Sequence, residues 1–268
     1  MGLIKTLAKH PALTAGAVAA VPVGIFSYFW AYGRGAWSPK EKLDESLPGD
    51  DLLLPADKPL RLQEEITIDA PIDVVWPVIA QLGSRKGGFY ALAWLERLFT
   101  FHIFNTYEQV DDWQEVTPGD FLFYHQAGVG SQVMDVEPGH YFTSLSDTRR
   151  PPTAQGGMAL LPVGLKNFAW TWNFVLQELP DGRTRFVNRC DTVLEPAGKV
   201  PTALVVVLLG CPSVFMVRKM LEKVKKVAEG RQRPSLVNAA VRSMGVFSNE
   251  ARPRPLGADR AHAPTVVS

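Results

Sequence analysis

The residues best suited to polar chemistry are one histidine and one pair of opposite charges. His125 follows Tyr124 in the segment FLFYHQ, where an imidazole could act as a general acid or base. The sequence identifies no partner that would position it, and a structural, hydrogen-bonded histidine is the alternative. Arg189 and Asp191 are two residues apart, so a strand would place both on one face. They could form an ion pair at the edge of the core or bind a ligand's polar head group.

Other kinds of chemistry lack the residues that they need. The motifs HExxH and GxSxG, a phosphate-binding loop and a helix-opening GxGxxG do not occur, and the five histidines are scattered. We therefore predict no metal and no cofactor. Cys190 and Cys211 lack CxxC spacing and are expected to be small buried residues. A net charge of +1, from 28 basic and 27 acidic side chains, argues against a nucleic-acid partner.

A generous supply of aromatic residues indicates a large core or an apolar cavity. The chain contains 14 Phe, 7 Trp and 6 Tyr. One predicted strand carries them at alternate positions, so that a single face holds Phe168, Trp170, Trp172, Phe174 and Leu176. This face must be covered, either by other side chains of the core or by a ligand.

The strand that follows is joined by a hairpin at Asp181-Gly182, a strong turn signal. With a loop of two or four residues, Phe174 would lie opposite Arg189 and Trp172 opposite Asp191. Both charges would then point inward beside the aromatic rings. A three-residue loop with a bulge would reverse this arrangement.

The N-terminus has the composition of a membrane anchor. Residues 12–32 supply about the 20 apolar positions that a bilayer crossing requires, and aromatic residues cluster at one end. A cleaved signal peptide is the alternative, but the most apolar stretch follows the small residues where cleavage would occur. We therefore predict an uncleaved single-pass anchor within residues 1–37. Basic residues flank both sides of the span, so its orientation is not predicted.

Composition divides the rest of the chain into three parts. Residues 38–59 are polar and rich in Pro and Asp, as in a linker, and residues 60–230 form the predicted folded domain. Residues 231–268 are basic and rich in Pro, and we expect a disordered tail. The uncharged stretch 200–217 is long enough for a second span, but Gly210 and Pro212 interrupt it. A buried segment or a hydrophobic lid is favoured there.

The pattern within 60–230 is a strand, two helices, an antiparallel meander and a long last helix. Ile66 and Ile68 alternate with polar residues in the opening strand, and helix signals follow from about residue 72 to 82 and within FYALAWLERLF. The last helix begins near Pro212 and ends at Gly230. Its apolar stripe can cover a sheet and comprises Val214, Val217, Met220, Leu221, Val224, Val227 and Ala228.

Three motifs within this order resemble the SRPBCC superfamily, which includes START-like lipid-transfer domains, the birch pollen allergen fold and polyketide cyclase/dehydrase proteins. The first is APxxVW from Ala70 to Trp76, and the second is QLGxxxGGxY from Gln81 to Tyr90. The third lies in the last helix and comprises Met220, Leu221, Val224, Lys225, Ala228 and Glu229. Where relatives often have G-W-Y-S-x-D, this chain has Gly88-Phe89-Tyr90-Ala91-Leu92-Ala93.

The resemblance implies an α+β helix-grip fold, in which a curved antiparallel sheet wraps a long C-terminal helix and leaves an apolar pocket. With the anchor, it leads us to expect a membrane-bound protein that binds or transfers a hydrophobic small molecule or lipid. A cyclase or dehydratase acting on an aromatic or polyketide-like substrate, and a non-catalytic interaction module, are the alternatives. The expected ligand-binding residues are Tyr90, Trp94, Tyr124, Trp170, Trp172, Phe174, Arg189 and Asp191.

Overall fold

The structure, a computed structural model, describes residues 40–98, 100–101, 103–125, 128–150, 165–196 and 210–232, together with positions 23, 24, 27, 28, 31 and 203. The predicted membrane span at 12–32 and the predicted tail thus lie almost entirely outside the described residues. Among those that are described, no helix combines the length and the apolar character needed to cross a bilayer.

The described elements follow the predicted order along the chain. The helices are α1 (Lys40–Leu43), α2 (Ile72–Ala80), α3 (Ala93–Leu98) and α4 (Cys211–Ala228), with a 3-10 turn at Asp111–Trp113. The strands are β1 (Leu60–Ile68), β2 (Phe121–Phe123), β3 (Gly130–Glu137), β4 (Tyr141–Asp147), β5 (Asn167–Glu178) and β6 (Thr184–Glu195). Helix α2 begins after Pro71 and ends two residues before the predicted position.

The six strands form one antiparallel sheet in the order β1-β6-β5-β4-β3-β2. Strands β2 to β5 each pair with the next strand along the chain, so the predicted meander is confirmed. Strand β1 joins the sheet beside β6. The first and second strands in sequence therefore form opposite edges of the sheet.

The sheet curls toward the helical side. Neighbouring strands lie roughly 4.8 Å apart, so three steps would separate β2 from β5 by about 14 Å in a flat sheet. Tyr124, directly after β2, nevertheless lies with its ring centroid 5.6 Å from that of Trp170 and 5.4 Å from that of Trp172, both on β5. A register shift between Val133 and Asp135 marks a bulge in β3, and bulges bend strands.

Helix α4 lies on the concave face of this sheet and packs against β1 and α2. Its predicted apolar stripe is confirmed: Val214, Val217, Met220, Leu221 and Val224 are buried, and Val227 and Ala228 pack against the same core. The part of the uncharged stretch from residue 211 onward belongs to this helix, whereas nearly all of 200–209 lies outside the described residues. The arrangement of sheet and helix is the expected α+β helix grip.

The hairpin between β5 and β6 has a different register from the predicted one. The backbone amide of Leu179 donates to the carbonyl of Arg183, which closes a three-residue loop in which Gly182 has φ +78°. Trp172 therefore faces Cys190, and Asn173 faces Arg189. A change of one residue moves every side chain of a strand to the other face. The prediction that Arg189 and Asp191 point inward is therefore wrong, and both lie on the outer face.

The outer face is covered by the N-terminal strap, which we define as residues 41–57. Leu47 packs against Val175 and Val187. Leu53 packs in a second small cluster, against Leu145, Ala169 and Val193. These contacts fasten the described part of the predicted linker to the sheet.

Arg189 is the polar centre of the contact between strap and sheet. Its side chain is fully buried, and it donates to the backbone carbonyls of Glu45 (2.8 Å) and Lys42 (3.2 Å) and to the Asp50 carboxylate (2.8 Å). Gln63 accepts a further hydrogen bond at 2.8 Å from Nε. Burial of a guanidinium is tolerated only when its donors are satisfied.

Asp191 has a separate partner on the same face. Arg61 binds it through two hydrogen bonds, of 2.8 Å and 2.6 Å, and also reaches Asp50 at 3.0 Å. Asp50 thus bridges the two arginines. The pairing of Arg189 with Asp191, one of the two sequence interpretations, does not occur.

We expect Arg189→Met to lower the free energy of unfolding by about 3 kcal/mol, because Asp50 and two strap carbonyls lose a buried donor. Arg183→Met is the matched control, since Arg183 is exposed at the hairpin tip and should tolerate the change. Urea denaturation followed by tryptophan fluorescence measures both variants. Equal stabilities for the two would show that Arg189 does not hold the strap.

Candidate functional site

A continuous group of rings, here called the aromatic wall, lies on the concave side of the sheet: Phe89, Tyr124, Trp170, Trp172 and Phe174. Trp172 lies at its centre. Its ring centroid is 4.9 Å from that of Phe174, 5.3 Å from Phe89, 5.4 Å from Tyr124 and 5.9 Å from Trp170. Offset and tilted rings at these distances attract one another. The wall faces α4, whose residues Val217 and Leu221 belong to the same buried cluster.

The structure brings together five of the predicted ligand-binding residues and separates the other three. The main buried hydrophobic cluster, between the sheet and the helices and here called the inner cluster, includes Tyr90, Tyr124, Trp170, Trp172 and Phe174. Trp94 is 62% exposed on α3, and Arg189 and Asp191 lie behind the sheet. His125, the catalytic candidate, packs edge-on against the ring of Phe101 with centroids 5.0 Å apart.

Tyr124 heads a chain of hydroxyl groups that runs into the sheet. Its hydroxyl oxygen lies 2.5 Å from Ser131 Oγ, which donates to Ser144 Oγ at 2.8 Å. Ser144 in turn donates to the carbonyl oxygen of Trp172 at 2.9 Å. A hydroxyl has one proton, so the carbonyl at the end fixes the direction of the whole chain. The Tyr124 proton is therefore donated to Ser131.

This direction determines what Tyr124 can offer to the interior. Its only proton is committed, and the remaining capacity of the oxygen is that of an acceptor. Burial raises the pKa of the phenol, so it stays neutral at physiological pH. Tyr124 is thus suited to accept a hydrogen bond rather than to act as an acid or to bind an anion.

The central indole is also satisfied within the protein. Trp172 Nε1 donates to Asn188 Oδ1 at 3.0 Å, and Asn188 Nδ2 donates to the backbone carbonyl of Asn173 at 3.2 Å. Asn188 is fully buried on the concave face, opposite Phe174. The amide therefore fixes the orientation of the Trp172 ring.

The QLGxxxGGxY motif folds into a tight loop that delivers Phe89 and Tyr90 to the core. Gln81 Nε2 donates to the Tyr90 hydroxyl at 2.6 Å, and the Tyr90 amide donates to Asn105 Oδ1 at 2.9 Å. Gly88 has φ +81°, and a Cβ there would lie 2.5 Å from Asn105 Oδ1, so only glycine fits. Burial raises the pKa of Tyr90. The Tyr90 hydroxyl accepts the hydrogen bond from Gln81 that stabilises the loop, whereas its ring belongs to the inner cluster.

One charged pair on the concave face was missed by the motif search. Glu64 on β1 accepts a hydrogen bond from Arg218 Nε of α4 at 2.8 Å, and its side chain is only 8% exposed. Burial raises the pKa of this carboxyl against the opposing effect of Arg218. Sequence alternation contained the signal, because Glu64 has the same parity as Ile66 and Ile68, which were predicted to be buried.

A second carboxyl, Glu96 on α3, was also missed. Its Oε2 is buried and has no hydrogen-bond partner. Burial raises the pKa of Glu96 to about 7, and the neighbouring Arg97 only partly opposes this effect. The folded protein therefore favours the protonated form of this side chain near neutral pH.

The cysteine prediction is confirmed for Cys190, which is buried in the inner cluster opposite Trp172. Burial raises the pKa of its thiol, so the reactive thiolate is disfavoured. The side chain of Cys211 lies outside the described residues.

Comparison with known proteins finds similarity in structure alone. No protein-family model and no curated protein sequence matches the chain. An aromatase/cyclase from a Streptomyces species is similar at 20% identity and a TM-score of 0.34, over 66% of this chain and 97% of that one. A protein from Mesorhizobium loti is similar at 12% identity and 0.37, over 65% and 100%. The protein Ara h 8.0201 is similar at 10% and 0.38, over 65% and 99%.

The strand order and the position of α4 define the fold of this chain directly. One antiparallel sheet, with β1 beside β6, wraps a C-terminal helix of 18 residues. This is the helix grip that the resemblance to the SRPBCC superfamily implied, and the resemblance is confirmed at the level of the fold.

The raised pKa of Glu96 predicts a pH dependence of stability. Between pH 4.5 and about 7 the unfolded chain releases this proton while the folded chain retains it, so stability falls as the pH rises through that window. Glu96→Gln removes the ionisation, and we expect it to stabilise the protein at pH 8 by on the order of 2 kcal/mol, with little effect at pH 4.5.

Urea denaturation at the two pH values measures this difference. Glu178→Gln is the matched control, because Glu178 is exposed at the end of β5 and should show no such pH-dependent gain. An equal response of both variants at pH 8 would contradict a buried, destabilised carboxylate at Glu96.

Proposed function

We propose that this protein binds a hydrophobic small molecule or lipid between the aromatic wall and α4, and that an N-terminal helix holds it at a membrane. The observation that carries the binding proposal is the aromatic wall itself, five rings on the face that the helix covers. Such rings offer a large apolar contact area with few polar demands. The hydroxyl chain from Tyr124 and the Trp172–Asn188 pair satisfy two of the polar groups among them, and the Trp170 indole N–H is buried without a hydrogen-bond partner.

Binding is proposed ahead of a cyclase or dehydratase activity because of where the titratable groups lie. Acid–base catalysis needs at least two such groups that converge on one substrate. Of the three candidates, Arg189 is behind the sheet, and Tyr124 has its proton committed to Ser131. His125 packs edge-on against the ring of Phe101.

An interaction module without a ligand would be favoured by a broad apolar surface. The large exposed apolar side chains of the folded domain, within the described residues, are Leu54, Val74 and Trp94. They lie on the strap, on α2 and on α3 respectively. Single exposed apolar residues are normal on protein surfaces.

Two features support the membrane part of the proposal. Residues 12–32 have the length and composition of a spanning helix. Tyr28, within that segment, contacts Phe215 near the start of α4 edge-on, with ring centroids 5.7 Å apart. The anchor would thus lie beside the N-terminal end of the gripped helix, and a lipid-soluble ligand could pass between bilayer and domain by a short path.

Tryptophan quenching by an apolar heavy-atom probe tests ligand binding. We expect 1-bromonaphthalene to quench the full chain in lipid nanodiscs saturably, and Trp172→Phe to lose most of the saturable part, because such quenching requires close contact. Trp113→Phe is the control: Trp113 is buried in the 3-10 turn and does not belong to the buried cluster that contains the wall, so its replacement should preserve the quenching. Quenching that is linear in probe concentration, or identical in both variants, would contradict binding at the wall.

Alkaline carbonate washing of membranes tests the anchor. We expect the full chain to remain in the pellet and the double variant Val18→Arg, Ile25→Arg to be released, because each arginine at a helix centre costs about 3 kcal/mol of insertion energy. The same change in the tail, Val237→Arg with Val241→Arg, should have no effect. Release of the unmodified chain, or an N-terminus beginning after Ala20, would overturn the anchor.

A further inference from the structure

Glu64 occupies a position on the concave face where a charge is unexpected. It lies in the middle of β1, opposite Asn188, which in turn lies opposite Phe174 of the aromatic wall. Directly opposed residues of an antiparallel sheet point to the same side. The carboxylate is therefore between the sheet and α4, on the same face as the aromatic wall.

The two oxygens of Glu64 are in different situations. Oε2 accepts the hydrogen bond from Arg218. Oε1 is buried and has no hydrogen-bond partner, although the side chain as a whole is more than nine-tenths buried. A buried carboxylate oxygen without a donor costs more than an unpaired neutral group.

The neighbouring amide does not supply the missing donor. Asn188, directly across the ladder, donates one amide N–H to the carbonyl of Asn173 and accepts from the Trp172 indole, and no hydrogen bond joins it to Oε1. A purely structural role, in which the ion pair joins α4 to β1, explains the hydrogen bond from Arg218 to Oε2. It does not explain why Oε1 is buried without a hydrogen-bond partner.

We propose that Glu64 Oε1 accepts a hydrogen bond from a hydroxyl group of the bound molecule, so that the ligand class is a hydrophobic alcohol or phenol. This inference rests on the proposed function and adds the polar end of the ligand. Tyr124 has the same polarity, since its proton is committed to Ser131 and only acceptor capacity remains. A ligand that ends in a carboxylate or a bare carbonyl has no proton to donate to either position.

A matched pair of probes tests the hydroxyl requirement. 2-Naphthol and 2-methoxynaphthalene share one ring system, but only the first can donate a hydrogen bond. We expect the full chain in lipid nanodiscs, corrected for partition into empty nanodiscs, to bind 2-naphthol about tenfold more tightly than the ether, as a hydrogen bond to a charged group allows. Isothermal titration calorimetry gives both affinities.

The variant Glu64→Gln keeps an oxygen for Arg218 but can place an NH₂ donor where Oε1 stood. We expect it to abolish the preference for 2-naphthol while binding of the ether changes less than twofold. Glu65→Gln is the matched control, since Glu65 is the next residue, faces the other side of the sheet and pairs with Arg185. It should retain the wild-type preference.

The outcomes separate this inference from the function on which it rests. Equal affinities of the wild-type chain for the two probes overturn the hydroxyl-acceptor role and leave apolar binding intact, whether or not Glu64→Gln folds. Binding of neither probe overturns the proposed function itself. The preference for 2-naphthol could also survive in Glu64→Gln that circular dichroism shows to be correctly folded. In that case another group accepts the hydroxyl proton, and the inference is overturned.

Discussion

The ladder between β5 and β6 is the longest in the sheet, and its register decides which side chains of these strands lie on the concave face and which on the convex face. Each strand has 12 residues, and the three-residue loop that ends in Gly182 decides which side chains share a face. With this register the aromatic residues of β5 face α4, and Arg189 and Asp191 face the strap. A slip of one residue that turned β6 over would bury Arg189 and Asp191 among the rings, at a large cost in free energy.

The concave face combines an apolar surface with a few buried polar groups. The Tyr124 proton is donated along the serine chain, and the Trp172 indole is bound by Asn188. The unused capacity on this face includes acceptors at Tyr124 and Glu64 and a donor at the Trp170 indole. A ligand bound here would be selected by how well its own polar groups match these, because leaving a buried polar group unmatched costs more free energy than a matched hydrogen bond gains.

The convex face has the opposite role and connects the domain to the chain before it. Arg189 binds two carbonyls of the strap, and Arg149 binds Asp57 near the strap's end, with Nη1 2.8 Å from one carboxylate oxygen. Leu47 and Leu53 add apolar contacts to the sheet. The strap is therefore held to the sheet at both of its ends.

The amino-acid sequence alone determined the elements and the faces within each one. Alternation identified the aromatic side of β5, helical spacing identified the stripe of α4, and turn signals placed the meander, because burial along one element depends on a local period of 2 or 3.6 residues. Only the tertiary structure decided the register across Gly182 and the partners of the buried charges. Arg189 meets Asp50 across 139 positions and Glu64 meets Arg218 across 154. No local period encodes such pairings, because they depend on how strands and helix are brought together by the complete fold.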